Sequence, residues 1–125
     1  MLTRLKENTR VIVIDNVMEL DRIRNEKLDL TCWQCDDKNP NSLPSVLIKN
    51  ALRCNPDWLI IAESRGGEME DVLNSALTGS PIISTFHSLD IFSMPNRVIS
   101  MVMMNNKRTN RKEILNDLTY HIRFQ

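Results

Sequence analysis

Apolar residues fall along this chain in short clusters, separated by polar stretches rich in turn formers. Val11-Ile12-Val13-Ile14 is an unbroken β-branched run, the make-up of a strand covered on both faces of a parallel sheet, and it stops at Asp15-Asn16. Residues 27–33 predict a second, weaker strand. The segment 36–44 (DDKNPNSLP) is polar and predicts a loop. Beyond it Leu43, Val46, Leu47, Asn50, Ala51 and Cys54 recur at helical spacing, with Ser42 as the expected cap and Pro56 as the expected stop. Residues 57–62 predict a third buried strand. After Gly66-Gly67, a helix presents Met69, Val72, Leu73, Ala76 and Leu77 on one face and ends at Gly79. Residues 82–86 (IISTF) predict another central strand. A helix is expected from about Ser93 to Met104, with Pro95 in its first turn, where proline is tolerated. A polar, basic connection (105–111), a helix over 113–118 and a last strand over 120–124 complete the pattern.

Strands alternating with helices predict βαβ units, hence an α/β fold with a largely parallel sheet flanked by helices. Right-handed crossovers place all strand C-terminal ends on one rim, where ligands bind in open α/β sheets.

Composition narrows the function classes. A chain of 125 residues is the length of one domain. Sixteen basic residues balance sixteen acidic ones, so no net charge draws the chain to nucleic acid or an anionic membrane. No apolar run approaches the length of a membrane span, and MLTRLKENTR has no apolar signal core; a cytoplasmic protein is expected. Three cysteines, Cys32, Cys35 and Cys54, are an odd count that argues against a disulfide framework. Cys32-Trp-Gln-Cys35 is a lone CxxC; with Cys54 and His87 or His121 it is the raw material of a zinc site, and otherwise two thiols in or beside a strand. Met94, Met101, Met103 and Met104 read as core or subunit packing.

Three predicted strands end in residues of chemical interest: Asp15-Asn16 after the first, Glu63, Ser64 and Arg65 after the third, and Ser84, Thr85 and His87 after the fourth. Such a set fits phosphoryl transfer to water. Mg²⁺ takes hydroxyl and carboxylate oxygens, a glutamate orients or deprotonates the attacking water, and arginine and histidine stabilise charge on the transferred phosphate. Each residue also has a purely structural reading. Glu63 can pair with Arg65, His87 can be a satisfied histidine at a strand end, and Asp15 can cap a turn. Glycines after Arg65 are expected to let the chain turn sharply at the rim.

Three segments carry a family resemblance: RVIVIDNVMEL (10–20), NALRCNPDWLIIAESRGGEMEDVLNSALTGS (50–80) and STFHS (84–88). In order and spacing they resemble the acidic box, Walker B region and histidine box of the secretion ATPases of type II and type IV secretion systems, most closely the branch that assembles Flp/Tad-type pili. The likeness runs from about Thr3 to Gln125, in outline only beyond Asn105. It implies a RecA-like P-loop NTPase core in a hexameric motor, with ATP hydrolysis driving filament assembly or export beside inner-membrane platform proteins. By the same resemblance Glu63 is the Walker B glutamate, Asp15 and Glu19 belong to the acidic box, and His87 is the box histidine. These make Asp15, Glu63 and His87 the catalytic candidates, and Glu19, Arg24 and Arg65 the candidates for contact with ATP and Mg²⁺. Arg53 reads as structural, and Arg22 and Arg24 stand near the place of the family's arginine fingers but out of clean register with them.

The chain departs from that pattern at several points. Asp15-Asn16 stands where the family has Glu-Asp, Pro81 stands where relatives have glycine-rich sequence, and 105–108 (NNKR) replaces a more apolar connection. The P-loop GxxxxGK[ST] does not occur, since glycines stand only at 66, 67 and 79. Residues 1–125 are therefore expected to be the C-terminal part of the RecA-like domain without its phosphate cradle, inactive alone and prone to self-association. The alternative is a relict, non-catalytic domain that packs into a ring or holds a partner.

Overall fold

The computed structural model describes residues 4–22, 27–105 and 110–121. Four strands, β1 (Arg10–Asp15), β2 (Asp29–Gln34), β3 (Trp58–Ile61) and β4 (Ile82–Ser84), form one sheet in the order β2-β1-β3-β4. All pairings are parallel: Val11 lies opposite Leu30 and Trp58, and Ile61 opposite Ile14 and Ser84. The β-branched run of β1 takes an interior position, and Val11 to Ile14 are each 3% exposed or less, as expected of a strand covered on both sides.

The helices are α1 (Pro44–Arg53), α2 (Met69–Leu77), α3 (Met94–Met103) and α4 (Arg111–His121), and all four pack on one face. Ile48 and Ala51 of α1, Met69, Val72 and Leu73 of α2, Val98, Ile99, Met101 and Val102 of α3, and Ile114 and Leu118 of α4 join Ile12, Ile14, Leu59 and Ile61 in one core. Removing each of these Val, Leu, Ile and Met side chains from water stabilises the fold by roughly 1.5–3 kcal/mol. Val11, Val13 and Ile60 point the other way and are covered by Leu28, Leu5, Leu20 and Trp58. Chain order accounts for this asymmetry. The steps β2→β3 and β3→β4 run in one direction across the sheet, so right-handed crossovers put α1 and α2 on the same face. The step β1→β2 runs the opposite way, which sends the segment bearing Leu20 and Leu28 to the other face.

Several local expectations are corrected. Ser42 does not cap α1; Leu43 holds the cap position without a side-chain bond, and Pro44 opens the helix with its φ already set. The buried face of α1 is Ile48 and Ala51, while Asn50 and Cys54 are exposed. That helix stops at Arg53, ahead of Pro56, and Asn55 takes a left-handed φ of 49°. Gly79 does end α2 with φ of 84°, its N–H donating to Ala76 O at 3.0 Å. Gly66 and Gly67 are not in the left-handed region, so backbone freedom is not what requires them. Residues 120–121 continue α4 instead of starting a strand, because Ile114 and Leu118, one turn apart, seat that helix in the core. The rest of the expected strand, 122–125, lies outside the described residues.

Candidate functional site

Parallel pairing brings the ends of β1, β3 and β4 side by side. Ala62 N–H donates to Ile14 O at 2.9 Å and Ser64 N–H to Thr85 O at 2.8 Å, which extends the ladder past the regular strands. Glu63, just beyond β3, is the centre of the cluster that results. Its Oε2 accepts from Arg65 Nε at 2.8 Å and Nη2 at 2.5 Å, and its Oε1 lies 3.1 Å from His87 Nε2. The Glu63 side chain is 22% exposed, against 65% for Arg65 and 95% for His87, so the carboxylate is sheltered and both of its partners reach into solvent. The hydrogen bond from Arg65, aided by the charges of Arg65 and His87, holds the Glu63 carboxyl below the ordinary carboxylate range. The same bond raises the Arg65 guanidinium. Beneath this cluster the Ser64 and Ser84 hydroxyls meet at 2.6 Å, and Thr85 Oγ1 donates to Ala62 O.

Of the three expected catalytic residues, the structure thus joins Glu63 and His87 directly. Asp15 lies on the adjacent strand end with its carboxylate turned to its own loop. It is 3% exposed and accepts from the N–H groups of Val17 (3.1 Å), Glu19 (2.9 Å) and Leu20 (3.4 Å). This is the turn-capping arrangement, and it steadies a loop in which Met18 takes a left-handed φ of 56° and Leu20–Arg22 form a short 3-10 helix. Among the described residues no hydrogen bond joins Asp15 to Glu63, Arg65 or His87. Glu19 is exposed beside this loop; Arg24 lies outside the described residues.

Cys32 and Cys35 fall on opposite faces of the sheet, Cys32 against the Val11–Val13 cluster and Cys35 against the main core, since residues three apart on a strand point opposite ways. Burial raises both thiols, which leaves them poor nucleophiles. Among the described residues no three His, Cys, Asp or Glu side chains converge as a metal site, and no helix is long and apolar enough to cross a membrane.

An arginine, an imidazole and an ionised carboxylate in one hydrogen-bonded cluster fit the phosphoryl end of a Mg-nucleotide. Mg²⁺ takes only one or two protein carboxylates and completes its shell with water and phosphate oxygens, a habit that Glu63 can meet. The backbone cradle for the remaining phosphates is not among these residues. Contacts invisible in sequence complete the site: Glu68 Oε1 accepts from Arg65 N–H (2.5 Å) and Gly66 N–H (3.0 Å), Arg97 Nη2 donates to Arg65 O (3.4 Å), and Asn105 Nδ2 donates to Gly67 O (2.6 Å). The last pair is separated by 38 positions, and no local pattern foretells it.

Comparison with known proteins bears on the fold and the family. The chain is 37% identical over 51 residues to an uncharacterised protein of Bacillus anthracis, and 35% identical over 52 residues to one of Methanocaldococcus jannaschii. These alignments take in 41% and 42% of this chain, but only 12% and 9% of those proteins. Among solved structures it superposes on the VirB11 ATPase of the Brucella suis type IV secretion system with a TM-score of 0.83 at 22% identity, covering 97% of this chain and 35% of that one. The Legionella pneumophila ATPase DotB gives 0.73 at 23% identity, over 93% of this chain and 31% of its own. The chain therefore spans about a third of the solved proteins it matches, and it shares the α/β RecA-like fold of those ATPases. The family model described as "Type II/IV secretion system protein" matches residues 1–120, and the chain belongs to that family.

Proposed function

We propose that residues 1–125 supply the hydrolytic rim of a secretion-motor ATPase. In this reading Glu63 orients the attacking water, and Arg65 and His87 face the transferring phosphate. The observation that carries it is the single cluster in which the Glu63 carboxylate meets both Arg65 and His87 where parallel strands end. A carboxylate held below its ordinary range is ionised at neutral pH and a weak proton acceptor, so its task here is to accept a hydrogen bond from water and fix its approach. Mg-ATP, when bound, would supply the electrophilic phosphorus and the phosphate oxygens that Arg65 faces while it stays bonded to Glu63. Asp15 acts at one remove: by holding loop 15–20 it sets the position of Glu19.

The rest of the motor extends the same reading. A P-loop outside these 125 residues completes the phosphate site. The protein works as a hexameric ring on the cytoplasmic side of the inner membrane, against platform proteins of a Flp/Tad-type pilus or secretion filament. Alone, the chain turns over no ATP. The test is phosphate release with Mg-ATP. The isolated chain is expected to stay below about 0.1 per second, under the range of ordinary enzymes. A parent protein that joins an in-frame P-loop to this chain is expected to turn over, and Glu63→Gln is expected to lower its rate on the order of 100-fold. An unchanged rate in Glu63→Gln refutes the role of Glu63. Failure of any P-loop-bearing parent to turn over favours the second reading, a relict domain that packs into a ring.

A further inference from the structure

The turn between β3 and α2 carries Arg65 to Glu63, and its backbone is gripped from both ends of α3. Arg97 in the first turn of α3 reaches Arg65 O at 3.4 Å, and Asn105, just past the last turn, reaches Gly67 O at 2.6 Å. Asn105 Nδ2 also lies 3.3 Å from Oε2 of Glu70, a carboxylate whose residue is only 6% exposed. The Asn105 amide fits this closely because position 67 has no β-carbon. A Cβ built on Gly67 would stand 2.1 Å from Asn105 Oδ1 and 2.7 Å from Cγ, so an alanine there must push the amide out of its two bonds. Gly67 does not have a left-handed φ, so its backbone alone would accept alanine.

We propose that Asn105 is a positioning residue for the Glu63–Arg65–His87 cluster. Its side-chain amide clamps the turn through Gly67 O and Glu70, and Gly67 is glycine to admit that amide. The clamp fixes the backbone two residues from Arg65, and with it the approach of the guanidinium to Glu63. As a device serving phosphoryl transfer, the clamp rests on the role given to Glu63 above. As a clamp it stands apart from that role, and the experiment reads it without turnover.

The experiment uses the ¹⁵N-labelled 125-residue chain in wild-type, Gly67→Ala, Asn105→Ala, Asn105→Asp and the two double-substituted forms. Urea unfolding gives the stability of each, and solvent exchange of the Arg65 Nε–H reports its bond to Glu63. Gly67→Ala alone is expected to reduce the folding equilibrium constant about tenfold, within the usual range of coupled contacts. In the Asn105→Ala background the sign reverses, and the same change raises the constant about two- to fivefold by restricting the unfolded chain. Asn105→Ala is also expected to speed Arg65 Nε–H exchange about tenfold or more, as the turn loosens. Asn105→Asp keeps the bulk but loses the donor, so it frees Arg65 in the same way while the cost of Gly67→Ala persists; it carries the test if Asn105→Ala does not fold. An equal effect of Gly67→Ala in the wild-type and Asn105→Ala backgrounds, or unaltered Arg65 exchange in both Asn105 variants, overturns the proposal. A fully active Glu63→Gln parent would remove the catalytic role and leave every one of these outcomes unchanged.

Discussion

The hydroxyl pair beneath the rim offers a sharp test of how β3 and β4 are locked together. Ser64 Oγ and Ser84 Oγ lie 2.6 Å apart; Ser64 is 2% exposed, while Ser84 is half-buried. Removing either hydroxyl deletes one hydrogen bond with a net worth of about 0.5–1.5 kcal/mol. What differs is the group left behind. Ser84→Ala strands the Ser64 hydroxyl away from water, which adds a desolvation cost and brings the total to about 2–3 kcal/mol. Ser64→Ala leaves a Ser84 hydroxyl that water can still reach, and about 1 kcal/mol is expected. With both replaced no polar group is orphaned, so the double variant should lose about 1 kcal/mol, well under the sum of the singles. Urea unfolding followed by the fluorescence of Trp33 and Trp58, both on strands of this sheet, measures all four forms. The reasoning fails if Ser64→Ala costs more than Ser84→Ala, or if the two effects simply add.

Three further outcomes follow from the site. The Glu63 carboxyl, observed by ¹³C NMR, is expected to titrate below the ordinary carboxylate range, and Arg65→Ala is expected to move its midpoint upward. Because the folded value is depressed, the pair stabilises the fold above the ordinary carboxylate pKa, and that contribution is lost as pH falls through the lowered value; a midpoint unmoved by Arg65→Ala would contradict the cause assigned. Asp15→Ala removes the acceptor for three loop amides and is expected to cost about 1–2 kcal/mol, with faster hydrogen exchange at Val17 and Glu19; retained protection there would show that the carboxylate does not hold the loop. A thiol reagent is expected to modify exposed Cys54 well before Cys32 or Cys35, whose thiols burial has raised, so rapid reaction at either of the two would argue against their packing.

Much of the architecture was legible because its signals are local. The β-branched run Val11–Ile14 and the apolar stretch Trp58–Ile61 suit buried strands, and their alternation with helical spacing argues for parallel pairing. The convergence of Glu63 and His87 followed from that topology. Residues whose role depends on distant contacts were harder to read. Asp15 satisfies two descriptions in sequence, an acid at a rim and a turn cap, and its bonds to the amides of Val17, Glu19 and Leu20 are contacts that no spacing pattern announces. Asn50 and Cys54 match helical spacing, yet the sheet meets α1 along Ile48 and Ala51. Gly66 and Gly67 read in sequence as turn formers; the Asn105 side chain that occupies the space of a Gly67 β-carbon arrives from the far end of α3.

Placing all four helices on one face gives the sheet a thick side and a thin one. On the thick side Ile12, Ile14, Leu59 and Ile61 lie beneath four helices, whereas among the described residues Val11, Val13 and Ile60 are covered by single side chains such as Leu5, Leu20 and Leu28, with no α-helix over them. Loss of order should therefore begin on the thin side, with the roof lifting as a unit at lower free energy than global unfolding. Water would then wet the back of β1 while its front stayed dry, and the platform that carries Glu63 would outlast the loop that carries Glu19.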